Sequence, residues 1–259
     1  MTAHRWADLP GPALNATLTE RSIAVVPIGA IEHHGPHLPL STDALVAETV
    51  AAAAVSRAVA AGVDAWLLPT VSYGKSDEHH WAPGTVWLEG TTLLEQLVEI
   101  GRSVSQTPAR TIVFVNGHGG NVMLLGWANR ELRRRFGLRS FSMPSGVGGA
   151  ADGRDGRPDE LGQGIHAGFV ETSVVMHIAP ELVVPPLPPR NVPEKIAGLR
   201  HIGFNGKPVM FGWTSDDFGP TGVIGDPTGA NAEAGAELFE RGVGFVAEAL
   251  GEVDGFEFA

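Results

Sequence analysis

The sequence predicts an α/β fold with a mainly parallel central sheet flanked by helices. The run at 22–29 is short, apolar and rich in β-branched residues, as in a buried strand. The segment 43–61 is rich in alanine and has neither proline nor glycine before Gly62, which is typical of a helix. This pattern repeats along the chain and indicates right-handed crossovers between parallel strands.

The predicted elements follow one another in a regular order. They are a strand at 22–29, a helix at 43–61, a strand at 64–69, a helix at 91–104, a strand at 111–115, a helix at 122–136, a strand at 138–143 and a helix at 230–250. Two stretches, 144–164 and 184–227, interrupt this order as long loops, which inside a compact domain are usually either functional or disordered. Because the sequence has no internal repeat and no obvious linker, we expect one domain over residues 1–259.

Composition excludes several classes of protein. With 18 Lys and Arg against 29 Asp and Glu, the chain has a net charge of −11, so nucleic acid is not an expected partner. The absence of cysteine excludes disulfide scaffolds, thiolate metal sites and cysteine nucleophiles. Any metal must therefore be held by His, Asp or Glu.

Nothing in the sequence indicates a membrane protein. Residues 1–15 lack a basic region followed by an apolar stretch, and charged side chains interrupt the most apolar segment, 44–69. We therefore expect a cytoplasmic protein with no signal peptide and no membrane span.

The first candidate site follows the first predicted strand directly. Residues 32–43 contain five potential metal ligands, namely Glu32, His33, His34, His37 and Asp43. Carboxylate and imidazole groups suit zinc, manganese or iron(II), and one carboxylate can bridge two ions. Taken singly, Asp43 has another interpretation as a helix cap, and a lone loop histidine is usually solvated.

The second candidate site is Asn-Gly-His-Gly-Gly-Asn at 116–121, where an apolar strand ends and a helix begins. Its glycines bring the backbone close to a ligand. A phosphate-binding loop is the competing interpretation, but neither of the common glycine-rich phosphate motifs is present. His118 is better explained as a metal ligand.

The third candidate site pairs His166 with Glu171. If a helix begins near Ala167, the helix dipole lowers the basicity of His166, and a neutral imidazole there is able to accept and return a proton. A helix-starting histidine and a solvated glutamate explain the same spacing equally well.

Together these segments resemble the creatininase (creatinine amidohydrolase) family of metal-dependent amide hydrolases. The motifs that carry the resemblance are Glu-x-His-Gly-x-His-Leu-Pro-x-x-Thr-Asp at 32–43, His79 with Pro83-Gly84-Thr85, Asn-Gly-His-Gly-Gly-Asn at 116–121, His-Ala-Gly-x-x-Glu-Thr-Ser at 166–173, and Gly-x-x-Gly-Asp-Pro at 222–227. The resemblance implies a creatininase-like three-layer α/β fold, a homo-oligomer that is usually a hexamer, and a two-metal centre at the strand ends.

Carried over by motif, Glu32, Asp43 and His118 hold one metal, and Asp43 bridges to a second metal that His34 also binds. The sequence departs from creatininase at Gly120, where that enzyme has a glutamate ligand, and Glu171 is our candidate for the missing carboxylate.

The tryptophans that help to enclose creatinine in that enzyme are also absent, both at Gly162 and in 141–151, so creatinine is not the expected substrate. Other branches of the family hydrolyse formamides, trim a precursor peptide in mycofactocin maturation, or open a cyclic sugar ketone. Phe169 argues mildly against the formamide branch, whose members tend to carry glutamate there.

The leading hypothesis is a metal-dependent hydrolase that cleaves a C–N amide bond of a small molecule with a metal-activated water. The bond is expected in a cyclic amide, a formamide or a small amide. Two divalent ions per chain are expected, as Zn²⁺, Mn²⁺ or Fe²⁺. The metal ligands are predicted to be Glu32, His34, Asp43, His118 and Glu171.

Other residues are predicted to act on the substrate. His166 and Glu171 are the catalytic candidates. The substrate-binding candidates are His37, His80, Trp81, Gly119, Gly120 and Trp213, and Trp213 is also a candidate to complete the site of a neighbouring subunit. His33 is expected to support a ligand rather than to bind metal.

Two other functions are compatible with the same residues. One is a hydrolase of a cyclic ketone, a carbon–carbon bond or a lactone on this scaffold. The other is a noncatalytic protein that binds a metal or a small ligand.

Overall fold

Four parallel strands form the sheet in the computed structural model, which describes residues 4–204 and 206–258. The strands are β1 (Ile23–Ile28), β2 (Ala65–Leu67), β3 (Thr111–Asn116) and β4 (Arg139–Pro144), in the order β2-β1-β3-β4. Every adjacent pair is parallel, and Ile23 to Ile28 pair in register with Thr111 to Asn116. The predicted parallel α/β architecture is confirmed.

Helices cover both faces of the sheet. They are α1 (Gly11–Thr17), α2 (Thr42–Ala60), α3 (Gly90–Ser105), α4 (Val122–Phe136), α5 (Phe169–Ile178), α6 (Glu194–Ala197) and α7 (Ala232–Gly255). Helices α2, α5 and α7 pack against one another on one face, and α3 packs against α4 on the other. The result is the predicted three-layer arrangement.

The two central strands are apolar on both faces because helices cover both. Ile23 and Val25 belong to the core cluster beside α2, α5 and α7, whereas Ala24 and Val26 belong to the cluster beside α3 and α4. Alternate residues of a strand point to opposite faces, so one apolar run supplies both cores.

The differences between prediction and structure include two boundaries and one additional helix. The strand predicted at 64–69 ends at Leu67, and Pro69, which has no N–H, cannot continue a ladder to β1. Helix α5 begins at Phe169 rather than near Ala167, whose φ of +53° is left-handed and not helical. Helix α1 was not predicted, because prolines surround it; one of them lies in its first turn, where proline is tolerated.

Over the residues that the structure describes, the two predicted loops, 144–164 and 184–227, contain little regular structure apart from α6 and short 3₁₀ turns. Isolated backbone bridges hold them in place, with His166 paired to Ile224 and Asn191 paired to Gly225. Among the described residues, no helix combines the length and apolar character needed to cross a membrane.

The contact between α5 and α7 leaves no space for a side chain at Gly235, where a Cβ would overlap the carbonyl of Ser173. We expect Gly235→Ala to lower the free energy of unfolding by about 1–3 kcal/mol, because backbone must move to relieve the overlap. Gly251→Ala is the control, since that position of α7 has nothing within 4 Å and alanine is the better helix former. Urea unfolding of both variants tests this, and a Gly235→Ala protein as stable as wild type contradicts it.

Candidate metal centre

The sheet brings the first two candidate motifs to one edge. Glu32 and His34 follow β1, and His118 follows β3, which is hydrogen-bonded to β1. Asp43 lies in the first turn of α2, where Ser41 takes the N-cap position and Asp43 makes no capping bond. The interpretation of Asp43 as a helix cap is therefore wrong.

The loop after β3 is braced by its own asparagines. Asn116 donates from Nδ2 to the His118 carbonyl at 2.7 Å and accepts the His118 N–H at 3.2 Å, while Asn121 donates to the Gly29 carbonyl. Gly117 lies against the backbone of Asp43, where a Cβ would come within 2.5 Å of the Asp43 carbonyl oxygen. This close approach sets the imidazole of His118 beside the carboxylate of Asp43.

Five buried or partly buried side chains form two groups that share Asp43. In the first group His118 Nδ1 lies 2.9 Å from Asp43 Oδ2 and 3.2 Å from Glu32 Oε2. In the second, His34 Nε2 lies 3.2 Å from Asp43 Oδ1 and 4.0 Å from Glu171 Oε2. The ligand atoms in each group all lie within 4.8 Å of one another, a spacing that can hold a metal ion. The structure thus brings together all five residues predicted as ligands.

The polar atoms of this cluster fit a cation. Glu32 Oε2, His34 Nε2 and Asp43 Oδ2 are buried and have no hydrogen-bond partner among the described residues, although they lie close to one another. Unsatisfied buried polar groups are costly and rare. Carboxylate oxygens and imidazole nitrogens that converge without hydrogen bonds are the donor set that zinc, manganese and iron(II) accept.

The electrostatics of the cluster also favour positive charge. Burial alone would lower the pKa of His34, but Asp43, with Glu32 and Glu171, raises it to about 10. Likewise, the carboxylates of Glu32 and Asp43 outweigh burial and raise the pKa of His118. Protons on these two imidazoles stand where a bound cation would otherwise balance the carboxylates.

The carboxyl groups respond in opposite directions. Burial raises the pKa values of Glu32 and Glu171 to about 7. At Asp43 the opposing effect of His34 and His118 exceeds that of burial and holds the pKa well below its usual range. Asp43 is therefore the carboxylate that stays ionised between the two groups.

His166 lies beside both groups as a weakly basic imidazole. Its Nε2 is 2.7 Å from the carbonyl of His33, which can only accept, so Nε2 carries the proton and Nδ1 is free. Nδ1 lies 3.6 Å from Glu32 Oε1. Burial, with the charges of His34 and His79, holds the pKa of His166 well below its usual range. The expected helix dipole is not the cause, because α5 begins three residues later.

The cluster forms the floor of a cavity of about 300 Å³. Its walls combine the acidic groups with apolar side chains from the long loop 184–227. The lining residues outside the cluster include Glu78, His79, Met123, Ile165, Phe204, Met210, Phe211 and Trp213. Phe204, Trp213 and Phe218 form an aromatic group with ring centroids 5.4–5.8 Å apart.

Three of the six predicted substrate-binding residues lie at this cavity, namely Gly119, Gly120 and Trp213. The other three do not, which corrects their predicted position. His37 is fully buried and hydrogen-bonds Thr172 Oγ1 at 2.9 Å, His80 is exposed, and Trp81 donates to Ser215 Oγ at 2.8 Å. His37 and Trp81 therefore brace loops around the cavity from outside.

Sequence reasoning missed Glu78 and His79 as site residues. His79 Nε2 lies 3.5 Å from Glu32, and Glu78 Oε1 lies 3.4 Å from His118 Nε2. The run Glu78-His79-His80 contains three potential ligands, but the sequence analysis predicts a binding role for the exposed His80 and not for its buried neighbour His79. A Cβ at Gly120 would come within 2.3 Å of the Lys75 carbonyl oxygen, 2.5 Å of His118 Nε2 and 2.7 Å of Glu78 Oε1, so this position has no space for a side chain.

Comparison with known proteins shows the family and the fold of this chain. The family model described as creatinine amidohydrolase matches residues 7–250. The chain is 40% identical over 233 residues to the mycofactocin precursor peptide peptidase of Mycolicibacterium smegmatis, covering 88% of this chain and 84% of that protein. It is 32% identical over 176 residues to the creatinine amidohydrolase of Pseudomonas putida, covering 62% and 66%. A crystal structure of creatininase matches with a TM-score of 0.73 at 23% identity, over 96% of this chain and 97% of that one.

Fold and cluster thus define an α/β protein with a carboxylate and imidazole centre at the carboxyl edge of a parallel sheet. The chain belongs to the creatininase family, and its named relatives are hydrolases. The resemblance inferred from the motifs is confirmed.

The raised pKa values of His34 and His118 predict how the metal-free protein responds to pH. The folded chain holds protons that the unfolded chain, with imidazole pKa near 6.5, releases above neutrality. Since the folded state then binds more protons, its stability falls as the pH rises from 7 to 9. Urea unfolding with a chelator present measures this slope. Asp43→Asn, which removes the shared carboxylate, is expected to flatten it, and an equal slope in both proteins contradicts the assignment.

Proposed function

We propose that this protein is a metal-dependent hydrolase that cleaves a C–N amide bond and holds two divalent ions per chain. The observation that carries the proposal is the pair of ligand groups that share Asp43 on the floor of one cavity. Glu32, Asp43 and His118 are assigned to one ion, and His34, Asp43 and Glu171 to the other. Glu171 thereby takes the role of the glutamate ligand that creatininase has at the position of Gly120.

Bound divalent ions supply Lewis-acid activation of a carbonyl group and of a water molecule. The residues then have distinct tasks. Asp43 and its neighbours compensate positive charge, and His166 moves the proton. Its Nδ1 accepts the proton of the attacking water and returns it to the leaving nitrogen, while the bond from Nε2 to the His33 carbonyl keeps the ring in one tautomer.

The proposed substrate is a peptide or small amide with an apolar group next to the bond that is cleaved. The similarity to precursor peptide peptidases supports a peptide, and the apolar wall of Phe204, Met210, Phe211 and Trp213 supports an apolar side chain. The cavity volume suits a few residues of a chain end rather than a folded protein.

Zinc or manganese is the proposed metal, because solved creatininases with the same fold are described as Mn and Zn–Zn forms. We further propose that residues 1–259 act as one domain in a cytoplasmic homo-oligomer, as the family resemblance implies. Size-exclusion chromatography with light scattering decides the assembly, and a monomer contradicts it. Residues 1–3, 205 and 259 of that domain lie outside the described structure.

Metal content tests the ligand assignment. We expect elemental mass spectrometry to find about two ions per chain in wild type, one in Glu171→Gln, and few in Asp43→Asn, which loses the carboxylate that serves both groups. His166→Ala is the control that keeps its metal and loses turnover by roughly 10²–10⁴-fold, as for a general acid or base. A His166→Ala protein without metal, or a Glu171→Gln protein with two ions, contradicts the assignment.

Peptide cleavage by wild type and by Trp213→Ala tests the proposed substrate class. Mass spectrometry of synthetic peptides incubated with the enzyme identifies the bond that is cleaved, and creatinine serves as the comparison substrate. Trp213→Ala is expected to raise KM for peptides with an apolar side chain roughly tenfold, since apolar contact area is lost. Trp87→Ala, at an exposed tryptophan outside the cavity, is the matched control. An unchanged KM in Trp213→Ala, or creatinine as the better substrate, overturns the proposed substrate class.

A further inference from the structure

Another buried carboxylate, that of Glu160, lies behind the cluster without belonging to either ligand group. The side chain of Glu160 is 1% exposed and comes from the loop before α5. It accepts three backbone hydrogen bonds, from Asp226 N at 2.6 Å and Phe169 N at 3.2 Å to Oε1, and from Ala151 N at 2.6 Å to Oε2. One carboxylate thus joins three separate segments of the chain.

Three glycines form a cradle around this carboxylate. At Gly164, Gly168 and Gly225 a Cβ would overlap an oxygen of Glu160. The cradle therefore depends on the absence of side chains at all three positions. The space that Glu160 occupies therefore accounts for the lack of side chains at Gly164 and Gly168, on the two sides of His166, and at Gly225 in the segment that faces them. No contact with a substrate is needed to explain these glycines.

The backbone around Glu160 adopts conformations that side-chain residues usually avoid. Leu161 has φ of +54° and Ala167 has φ of +53°, both in the left-handed region. Such conformations persist only where surrounding contacts impose them. At Ala167 the contacts are visible, because its N–H donates to Glu171 Oε2 at 2.5 Å and the backbone of His166 pairs with Ile224.

The hydrogen bonds of Glu160 surround this strained turn. Phe169 is the first residue of α5, two positions beyond Ala167, and Asp226 lies two positions beyond Ile224. Glu160 thus accepts hydrogen bonds from a residue that follows each partner of the antiparallel His166 and Ile224 pair, beside the point where Gly168 lies against Gly225. The turn it holds carries the imidazole of His166 on one side and the carboxylate of Glu171 on the other.

We propose that Glu160 is a positioning residue that fixes the 165–171 turn, and through it the distance of His166 and Glu171 from the metal groups. The effect on metal binding rests on the proposed function, whereas the hydrogen bonds by which Glu160 holds the turn do not. Glu32, Asp43 and His118 come from elements that Glu160 does not touch, so the first ligand group is independent of it.

The variant that isolates this role is Glu160→Gln. It keeps the size of the side chain, but three N–H donors then face one oxygen and one NH₂ group, so at least one donor loses its acceptor. Asp64→Asn is the matched control. Asp64 accepts hydrogen bonds from Ser22, Thr19 and Trp66 at the amino end of the sheet, away from the cluster.

Hydrogen–deuterium exchange of the metal-free proteins tests whether the hydrogen bonds of Glu160 hold the turn, and this measurement depends neither on bound metal nor on enzymatic activity. In Glu160→Gln we expect faster exchange in 165–171 and 222–228, with unchanged exchange in β1 and β3. Asp64→Asn is expected to leave both segments unchanged. Gly164→Ala, which pushes a Cβ toward the Glu160 carboxylate, is the second variant and is expected to give the same pattern if Glu160→Gln fails to fold.

Titration of the metal-free proteins with Mn²⁺ tests the consequence. We expect Glu160→Gln to bind one ion as wild type does and the second at least tenfold more weakly, with a fall in kcat larger than any change in KM. Equal weakening of both ions indicates a general structural role and overturns the proposal. Unchanged exchange, or faster exchange with wild-type affinity for both ions, overturns it as well. If wild type binds no Mn²⁺, the proposed function fails, and the exchange data alone decide whether Glu160 fixes the turn.

Discussion

The organisation of this molecule depends on one buried carboxylate with two imidazole neighbours. Asp43 lies between His34 and His118, and Glu32 and Glu171 complete the surroundings, so several groups that prefer water are held together without it. Burial of like charges is unfavourable unless opposite charge balances them. The rest of the site keeps these groups together, since they come from the loop after β1, the loop after β3 and the first turns of α2 and α5, and none is adjacent to Asp43 in the sequence.

The parallel sheet makes this convergence possible. Strands that run in the same direction end at one edge, so residues 32, 34 and 118 meet although more than 80 positions separate the last two. Helix α2 starts at the same edge, which places a first-turn side chain over the strand ends. The glycines next to the strands permit the close approach of backbone that this arrangement requires.

The sequence predicted the sheet, its parallel sense, most helices and the convergence of the five candidate ligands, because these follow from periodic apolar patterns and from dense runs of His, Asp and Glu. It did not predict which histidine of His79 and His80 faces the cluster, since a 3₁₀ turn decides this and adjacent residues carry no periodic signal. The positions of His37 and Trp81 outside the cavity have a related reason. Their side chains take part in buried or partly buried hydrogen bonds whose partners are more than 130 residues away. Glu160 gave no signal at all, because a single glutamate in a polar loop resembles a solvated one.

The cavity is built in two parts with different origins in the chain. Its floor comes from the ends of strands and the first turns of helices, whereas most of its apolar wall comes from Phe204, Met210, Phe211 and Trp213, which lie outside the helices and strands. The wall residues Phe204, Met210, Phe211 and Trp213 belong to neither ligand group of the floor. A scaffold of this kind can diverge in what it recognises, by substitutions in the wall, while the residues of its floor are retained.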